Sequence, residues 1–311
     1  MSWAYDSLWQ KTKVYVQKAM DEDRDGPLFP FWATLALELL GRATLAKVHP
    51  ILLADPRQDG NILYTFGYGT IENAKSIPTT TLFSRCQVVA PDFTKYDVSF
   101  CMSMIGKRNQ ELHTGTPAFH DFPTQLWLAK YFRICKILLF FQGHNLVDLF
   151  GTNEAIAAET MIAAAEQDVA AKVRKLIEEA ARKFRLLGTD IQEDKKKEGT
   201  KQAKSLTVRR GEKVGKTVLC PACGSQAFLS GEKISAKEPK LFDGVLYTEL
   251  VILPTKFYCF SCELSIEGYD NLHAVDLGGQ FTTSEEHDPA EYYLVGADPT
   301  AYMYEDEYGN E

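Results

Sequence analysis

Two short stretches, Cys220-Pro221-Ala222-Cys223-Gly224 and Cys259-Phe260-Ser261-Cys262, give the strongest prediction for the fold of the last third of this 311-residue chain. In each stretch two residues separate a pair of cysteines, which is the spacing of a tight turn that directs both sulfur atoms toward one point. Two such turns supply four thiolates in a tetrahedral arrangement, which suits one Zn²⁺ per chain. Because four thiolates leave no open coordination position, we predict a structural ion rather than a catalytic one. The predicted ligands are Cys220, Cys223, Cys259 and Cys262.

The residues around these cysteines favour β-strands. Apolar and β-branched side chains occupy 217–219, ahead of the first turn, and 251–258, ahead of the second. The 35 residues between the two turns exceed the usual spacing of about 15–20, which indicates an extra hairpin or loop near 230–248. Residues 217–282 therefore resemble the zinc-ribbon superfamily, and the resemblance implies contact with a nucleic acid or a protein. The alternative is two unrelated thiol pairs.

The rest of the composition is typical of a protein from a reducing compartment. The other three of the seven cysteines, Cys86, Cys101 and Cys135, lie among apolar residues, and this pattern favours metal binding plus buried thiols over a disulfide framework. No apolar run reaches the roughly 18 residues of a membrane span. The N-terminus also lacks the basic and apolar segments of a signal peptide. We expect a cytoplasmic protein with no membrane partner.

Charge is distributed unevenly along the chain. The net charge of the chain is −8. Residues 283–311 contain nine acidic side chains and no Lys or Arg, so the rest of the chain has a net charge of +1. Residues 193–216 contain nine Lys and Arg against four acidic residues. We interpret 189–216 as a basic, flexible linker and 283–311 as an acidic, tyrosine-rich interaction tail.

Residues 1–150 carry mainly helical signals. The segment 31–48 is strongly apolar, as in a core helix, and 122–142 has the pattern of a helix with Asp121 as its N-cap. A long alanine-rich helix is predicted over 154–187, whereas 56–100 shows few helical signals. The predicted fold class is a mainly α N-terminal bundle with a small β-rich zinc ribbon at the C-terminus. The predicted domains are a helical domain (1–150), a long helix (151–188), a basic linker (189–216), a zinc ribbon (217–282) and an acidic tail (283–311).

A second motif lies just before the helix at 122–142. It reads Ile105-Gly106-Lys107-Arg108-Asn109-Gln110-Glu111-Leu112-His113-Thr114-Gly115, in which a polar residue follows the arginine directly and a histidine follows five positions after it. With this motif and its helical context, residues 1–150 resemble the HEPN superfamily. The resemblance implies a homodimeric, metal-independent endoribonuclease, often a toxin or an antiviral-defence effector with an antitoxin or defence-system partner. It assigns catalysis to Arg108, Asn109 and His113.

These residue types suit the cleavage of RNA by its own 2′-hydroxyl, which leaves a 2′,3′-cyclic phosphate. That reaction needs a proton acceptor, a proton donor and positive charge on the phosphorane. The imidazole of His113 can accept or donate a proton near neutral pH, and the guanidinium of Arg108 matches phosphate oxygens with a planar fork of donors. Asn109 can orient the phosphate or the imidazole. RNA is therefore the expected substrate, and no metal takes part.

Helix geometry predicts how the site is assembled. Five positions leave Arg108 and His113 roughly 140° apart around a helix axis, so two chains across a dimer axis would bring both pairs to one cleft. The alternative is that both are surface residues of a turn before Gly115 and Pro117. The chain would then be a non-catalytic dimeric adaptor that binds nucleic acid, a nucleotide or a protein through its helical domain and zinc ribbon.

Overall fold

The computed structural model describes residues 3–69, 74–207 and 215–293. The chain forms two compact units, Met1–Ala165 and Glu166–Glu311, and the division falls inside one long helix. The first unit is helical, and the second combines helices with an antiparallel sheet. The helices are α1 (Tyr5–Met20), α2 (Leu28–Val48), α3 (Asp59–Thr65), α4 (Thr79–Val89), α5 (Lys95–His113), α6 (Leu128–Gln142), α7 (Leu146–Phe150), α8 (Thr152–Arg185), α9 (Thr189–Thr207), α10 (Tyr269–His273) and α11 (Pro289–Tyr292).

Helix α2 lies at the centre of the first unit because it is apolar on nearly every side. Its buried residues include Phe29, Leu37 and Leu40, each at most 1% exposed. It packs against α1, α4, α5 and α6. Gly41 permits the close approach of α4, since a Cβ atom at this position would lie 3.0 Å from Cε1 of Phe83. Helix α5, which contains Arg108, Asn109 and His113, packs against this central helix.

The start of α5 is fixed by a buried aspartate. The carboxylate of Asp97 accepts hydrogen bonds from the N–H and the hydroxyl group of Thr94, both at 2.8 Å, and so caps the helix. Asp97 is fully buried, and its other oxygen accepts from Arg133 of α6. From this anchored start the helix runs without interruption to His113, which sets the direction of every side chain in the motif.

The second unit is built on a six-stranded antiparallel sheet. The strands are β1 (Gly215–Leu219), β2 (Gln226–Ala236), β3 (Lys240–Phe242), β4 (Val245–Tyr258), β5 (Ser265–Glu267) and β6 (Phe281–His287). Strand β4 is central, with β2 and β3 along one edge and β5 and β6 along the other. A core of sheet residues such as Ile252 and Phe257 packs with Val173 of α8 and Leu272 of α10.

This architecture shows that the predicted fold class is wrong. The protein is a mixed α and β structure, not a mainly α bundle with a small zinc ribbon. The sheet includes β6, which occupies 281–287 and so takes the first residues of the predicted acidic tail into an ordered strand. The Cys-x-x-Cys spacing specifies only a local turn, whereas the size of the sheet depends on pairings between distant segments. The tail residues 294–311 lie outside the described residues.

The linker prediction is also wrong for 189–207, which form α9; residues 208–214 are outside the described part of the chain. The inner face of α9 contains Gly199 and Ala203, both buried, in place of large apolar residues. A Cβ atom at Gly199 would lie only 2.3 Å from the hydroxyl oxygen of Ser261, so glycine allows the helix to approach the second cysteine turn. A face made of such small residues leaves no hydrophobic periodicity in the sequence.

Two further segments differ from the prediction. Within 56–100 the structure has α3, α4 and the start of α5. The helix expected after Asp121 begins at Leu128. In the preceding segment Phe122 and the buried Trp127 stack with ring centroids 5.7 Å apart, a contact that a helix through both would not allow, since residues five positions apart lie about 140° apart around its axis. In the three described ranges, no helix has an apolar stretch long enough to cross a bilayer.

Candidate functional site

The four predicted cysteine ligands lie together in the second unit. The sulfur atoms of Cys220 and Cys262 are 3.6 Å apart, those of Cys223 and Cys259 are 3.5 Å apart, and all four lie within 4.8 Å of one another. Four sulfurs bound at 2.3 Å around a tetrahedral ion are about 3.8 Å apart. The cluster therefore has the composition and the dimensions to hold a metal ion.

Two equivalent backbone turns position these sulfurs. The N–H of Cys220 donates to the carbonyl oxygen of Ser225 at 2.8 Å, and the N–H of Cys259 donates to that of Leu264 at 2.9 Å. The residue after each turn has a left-handed backbone, with φ of +71° at Gly224 and +61° at Glu263. Because β1, β2, β4 and β5 flank the two turns, the sheet holds one turn opposite the other.

The thiols of this cluster are within hydrogen-bond distance of one another. Hydrogen bonds from neighbouring thiols, that of Cys220 first, lower the pKa of Cys259 to about 7 and also lower that of Cys223. The same contacts raise the pKa of Cys220 and Cys262, because a thiol that donates to a thiolate holds its proton more tightly. Metal binding requires all four sulfurs to be deprotonated, and a cation in the cluster would replace the thiol protons.

The three remaining cysteines have a different environment, and this gives a prediction for thiol labelling. Burial raises the pKa of Cys86 to about 12 and also raises those of Cys101 and Cys135. Since the thiolate is the reactive form, we expect no reaction of these three with iodoacetamide at pH 7.5 in the native protein. Mass spectrometry should find four labelled cysteines after chelation and seven after denaturation. Labelling of Cys86 before any cluster cysteine would contradict this order.

The first unit holds a cluster of charges around Glu38 of α2. Nη2 of Arg108 lies 2.9 Å from one carboxylate oxygen of Glu38, and Nη2 of Arg42 lies 2.8 Å from the other. The three side chains are only 14–16% exposed. Arg42 also donates to the hydroxyl group of Ser76 at 3.1 Å. One carboxylate thus lies between two guanidinium groups, which leaves the cluster with one excess positive charge.

The structure does not bring the other two motif residues into this cluster. Asn109 and His113 are exposed, and His113 is the last residue of α5. The side chain of His113 makes no hydrogen bond or ion pair within the part of the chain that is described. As α5 is regular, Arg108 and His113 lie roughly 140° apart. Within one chain, Arg108 therefore contacts α2 while His113 is in solvent at the helix end.

Sequence reasoning missed Glu38 and Arg42. They lie four positions apart on α2, so they share one face of the helix. The available signal was the presence of two opposite charges in the apolar middle of the helix, because charged residues are rarely buried unless they are paired. What the sequence does not give is their third partner, Arg108, which lies 70 positions away from Glu38.

Comparison with protein-family models, with curated proteins and with solved structures finds no match for this chain. The functional argument therefore depends on the cysteine cluster and on the Glu38 cluster themselves.

Proposed function

We propose that this protein is a metal-independent endoribonuclease in which Arg108, Asn109 and His113 cleave RNA by 2′-hydroxyl attack, leaving a 2′,3′-cyclic phosphate. The proposal includes a zinc ion in the cysteine cluster with a purely structural role. It also includes the biological setting that the HEPN resemblance implies, a toxin or antiviral-defence effector with an antitoxin or defence-system partner.

The observation that carries the proposal is the position of Arg108. The ion pair with Glu38, at 2.9 Å, holds its guanidinium in a fixed orientation, and its Nε is buried without a hydrogen-bond partner in the described structure. A second guanidinium, that of Arg42, compensates the charge of Glu38 from the other side. Preorganised positive charge of this kind stabilises a phosphorane more effectively than a mobile side chain does, because little reorganisation is needed during the reaction.

We assign the proton transfer to His113. The imidazole that acts beside Arg108 of one chain must then belong to a second chain. The angle between Arg108 and His113 on a regular α5 separates them within one chain, and His113 is exposed and available to a partner. A two-fold axis beside α5 would place His113 of one copy near Arg108 of the other. We therefore propose a homodimer with two composite sites.

We infer the identity of the metal from the chemistry of its donors. Four cysteine sulfurs in two turns, 3.5–3.6 Å apart in pairs, favour a tetrahedral ion with affinity for thiolates, and Zn²⁺ fits this description. With all four positions filled by protein, such an ion binds no water or substrate. Its contribution is to the stability of the sheet, and RNA cleavage does not depend on it directly.

The direct test is incubation of the purified protein with RNA in the presence of EDTA. We expect cleavage at an unchanged initial rate, and products that end in a cyclic phosphate or its hydrolysed monoester, identified by mass spectrometry. Inactivation after hours in EDTA would reflect unfolding of the cysteine-bound sheet. Immediate loss of cleavage that Mg²⁺ restores would contradict a metal-independent mechanism.

The composite site predicts complementation between inactive variants. Mixed dimers of Arg108→Ala and His113→Ala chains, isolated after co-expression, should show roughly half of the wild-type activity, since each mixed dimer has one complete site out of two. Each variant alone should be inactive. Activity is measured on co-purified protein with two affinity tags, and light scattering gives the oligomeric state. A monomeric protein, or mixed dimers without activity, would refute the shared site.

One observation favours a second candidate, the non-catalytic dimeric adaptor. The ion pair of Arg108 with Glu38 and the 15% exposure of its side chain are also what a structural salt bridge between α5 and α2 would show. In that case the helical unit would serve dimerisation or nucleotide binding, and the zinc-bound sheet would bind a protein or DNA. Absence of RNA cleavage by protein with full zinc content would favour this candidate.

A further inference from the structure

A groove of about 660 Å³ opens in the first unit beside Glu38. Trp3, which precedes α1, and Leu53, which precedes α3, form part of its apolar wall, and both are at most 9% exposed. Ser7 and Lys11 of α1 lie on its rim. The volume is within the range of about 300–1,000 Å³ that is typical of sites for small organic ligands.

The groove is electropositive. Among the described residues that line it, Glu38 is the one acidic residue, and Arg42 and Arg108 bind its two oxygens. Lys11 is exposed and forms no ion pair in the described ranges; its ammonium lies 5.8 Å from the centre of the Tyr15 ring. If Arg108, which binds Glu38 but does not line the groove, is included, the described charged groups are two guanidiniums, one ammonium and one carboxylate, with a sum of +2. An apolar wall of low dielectric strengthens the field of such charges at a concave surface.

This combination suits a nucleotide. A base offers flat apolar faces that pack against aromatic and aliphatic side chains, and a phosphate is attracted by a lysine that has no competing carboxylate. Glu38 joins the groove to Arg108, because its carboxylate lines the groove and also binds Nη2 of Arg108 at 2.9 Å. A nucleotide in the groove would therefore lie next to the guanidinium to which we assign the scissile phosphate.

We propose that this groove binds one nucleotide unit of the RNA substrate adjacent to the scissile phosphate, with Lys11 on its phosphate and Trp3 and Leu53 against its base. The proposal rests on the endoribonuclease function for the identity of the ligand. It assigns Lys11 to substrate binding and gives it no part in proton transfer.

Binding of a fluorescent single-stranded RNA oligonucleotide tests the proposal, with full-length protein carrying His113→Ala so that the RNA stays intact. In this background Lys11→Glu should raise Kd by about tenfold or more, and Lys11→Ala should reduce the slope of log K against log salt by about 0.7, as for one lost phosphate contact. The matched control is Lys13→Glu, a lysine on the same helix with a similar ring contact, 5.6 Å from the centre of Trp9. Two positions separate the lysines, so they lie about 200° apart on α1, and Lys13→Glu should change Kd much less.

A second variant separates shape from charge. Ser7→Trp adds bulk at the exposed rim without altering charge, and it should weaken RNA binding while leaving the salt slope unchanged. A 5′-nucleoside monophosphate should displace the RNA at lower concentration than inorganic phosphate does. Thermal unfolding confirms that each variant is folded.

Three results would overturn the proposal. The first is an equal rise of Kd for RNA in Lys11→Glu and Lys13→Glu, and the second is displacement of RNA by phosphate and by the nucleoside monophosphate at the same concentration. The third is a Lys11→Glu variant that loses binding of the nucleoside monophosphate but binds RNA with an unchanged Kd. The last would assign the groove to a free nucleotide. Failure of the nuclease function can be told apart from failure of this proposal. In that case the wild-type protein would not cleave RNA, while RNA binding would still depend on Lys11.

Discussion

His113→Ala is expected to slow RNA cleavage by about 10²-fold or more, because it removes the group that accepts or donates the proton in the transfer step. The exposed side chain makes no hydrogen bond or ion pair within the described structure, so its loss should not affect folding. The measurement is the single-turnover rate on a labelled RNA. The matched control is His120→Ala, which changes another exposed histidine, 70% accessible, and should retain the full rate.

Arg108→Ala should cause a loss of similar size through weaker stabilisation of the phosphorane. It also removes one of the two partners of Glu38, so thermal unfolding must be measured beside activity. Arg108→Lys should restore little, since an ammonium cannot reproduce the planar fork, and Asn109→Ala should have a smaller effect, as expected for an orienting residue. Should both alanine variants remain folded and fully active, the motif is not the nuclease site and the adaptor candidate takes precedence.

Cys223→Ser or Cys259→Ser is expected to abolish metal binding and to unfold the sheet around the two turns. The binding free energy of a structural zinc ion, on the order of 10–16 kcal/mol in small domains, is free energy of folding. Helices of the first unit have a separate core and should keep most of the far-UV circular dichroism signal. Elemental analysis should give one zinc per wild-type chain and almost none in either variant.

The control for this prediction is Cys101→Ala, which changes a buried cysteine of the first unit. It should lower the melting temperature through the loss of packing but retain one metal ion per chain. Less than about half an equivalent of zinc in gently purified wild-type protein, with the sheet still folded, would show that the cysteine cluster is not a structural zinc site.

The candidate sites differ in how much of each the sequence predicts. The four cysteines lie together as predicted, because a Cys-x-x-Cys turn places two sulfurs by local geometry alone and the flanking strands need only bring two turns together. For the Arg–His motif, the sequence supplies Arg108 and His113 and their angular separation. It does not supply Glu38 and Arg42, whose contact with Arg108 depends on how α2 packs against α5. The nuclease role of this motif stays a prediction.

The sequence by itself determined the features that depend on neighbouring residues. The apolar run at 31–48 and the alanine-rich run at 154–187 specify the helices α2 and α8, and the cysteine spacing specifies two turns. Only the tertiary structure decided that 189–207 form a helix. Gly199 and Ala203 are buried because the helix backbone lies close to its neighbours, so its inner face needs no large hydrophobic side chains. It likewise decided the six-stranded sheet, because β4 pairs with four strands drawn from 226–287. Such pairings gain their free energy from contacts between distant segments, which no local pattern encodes.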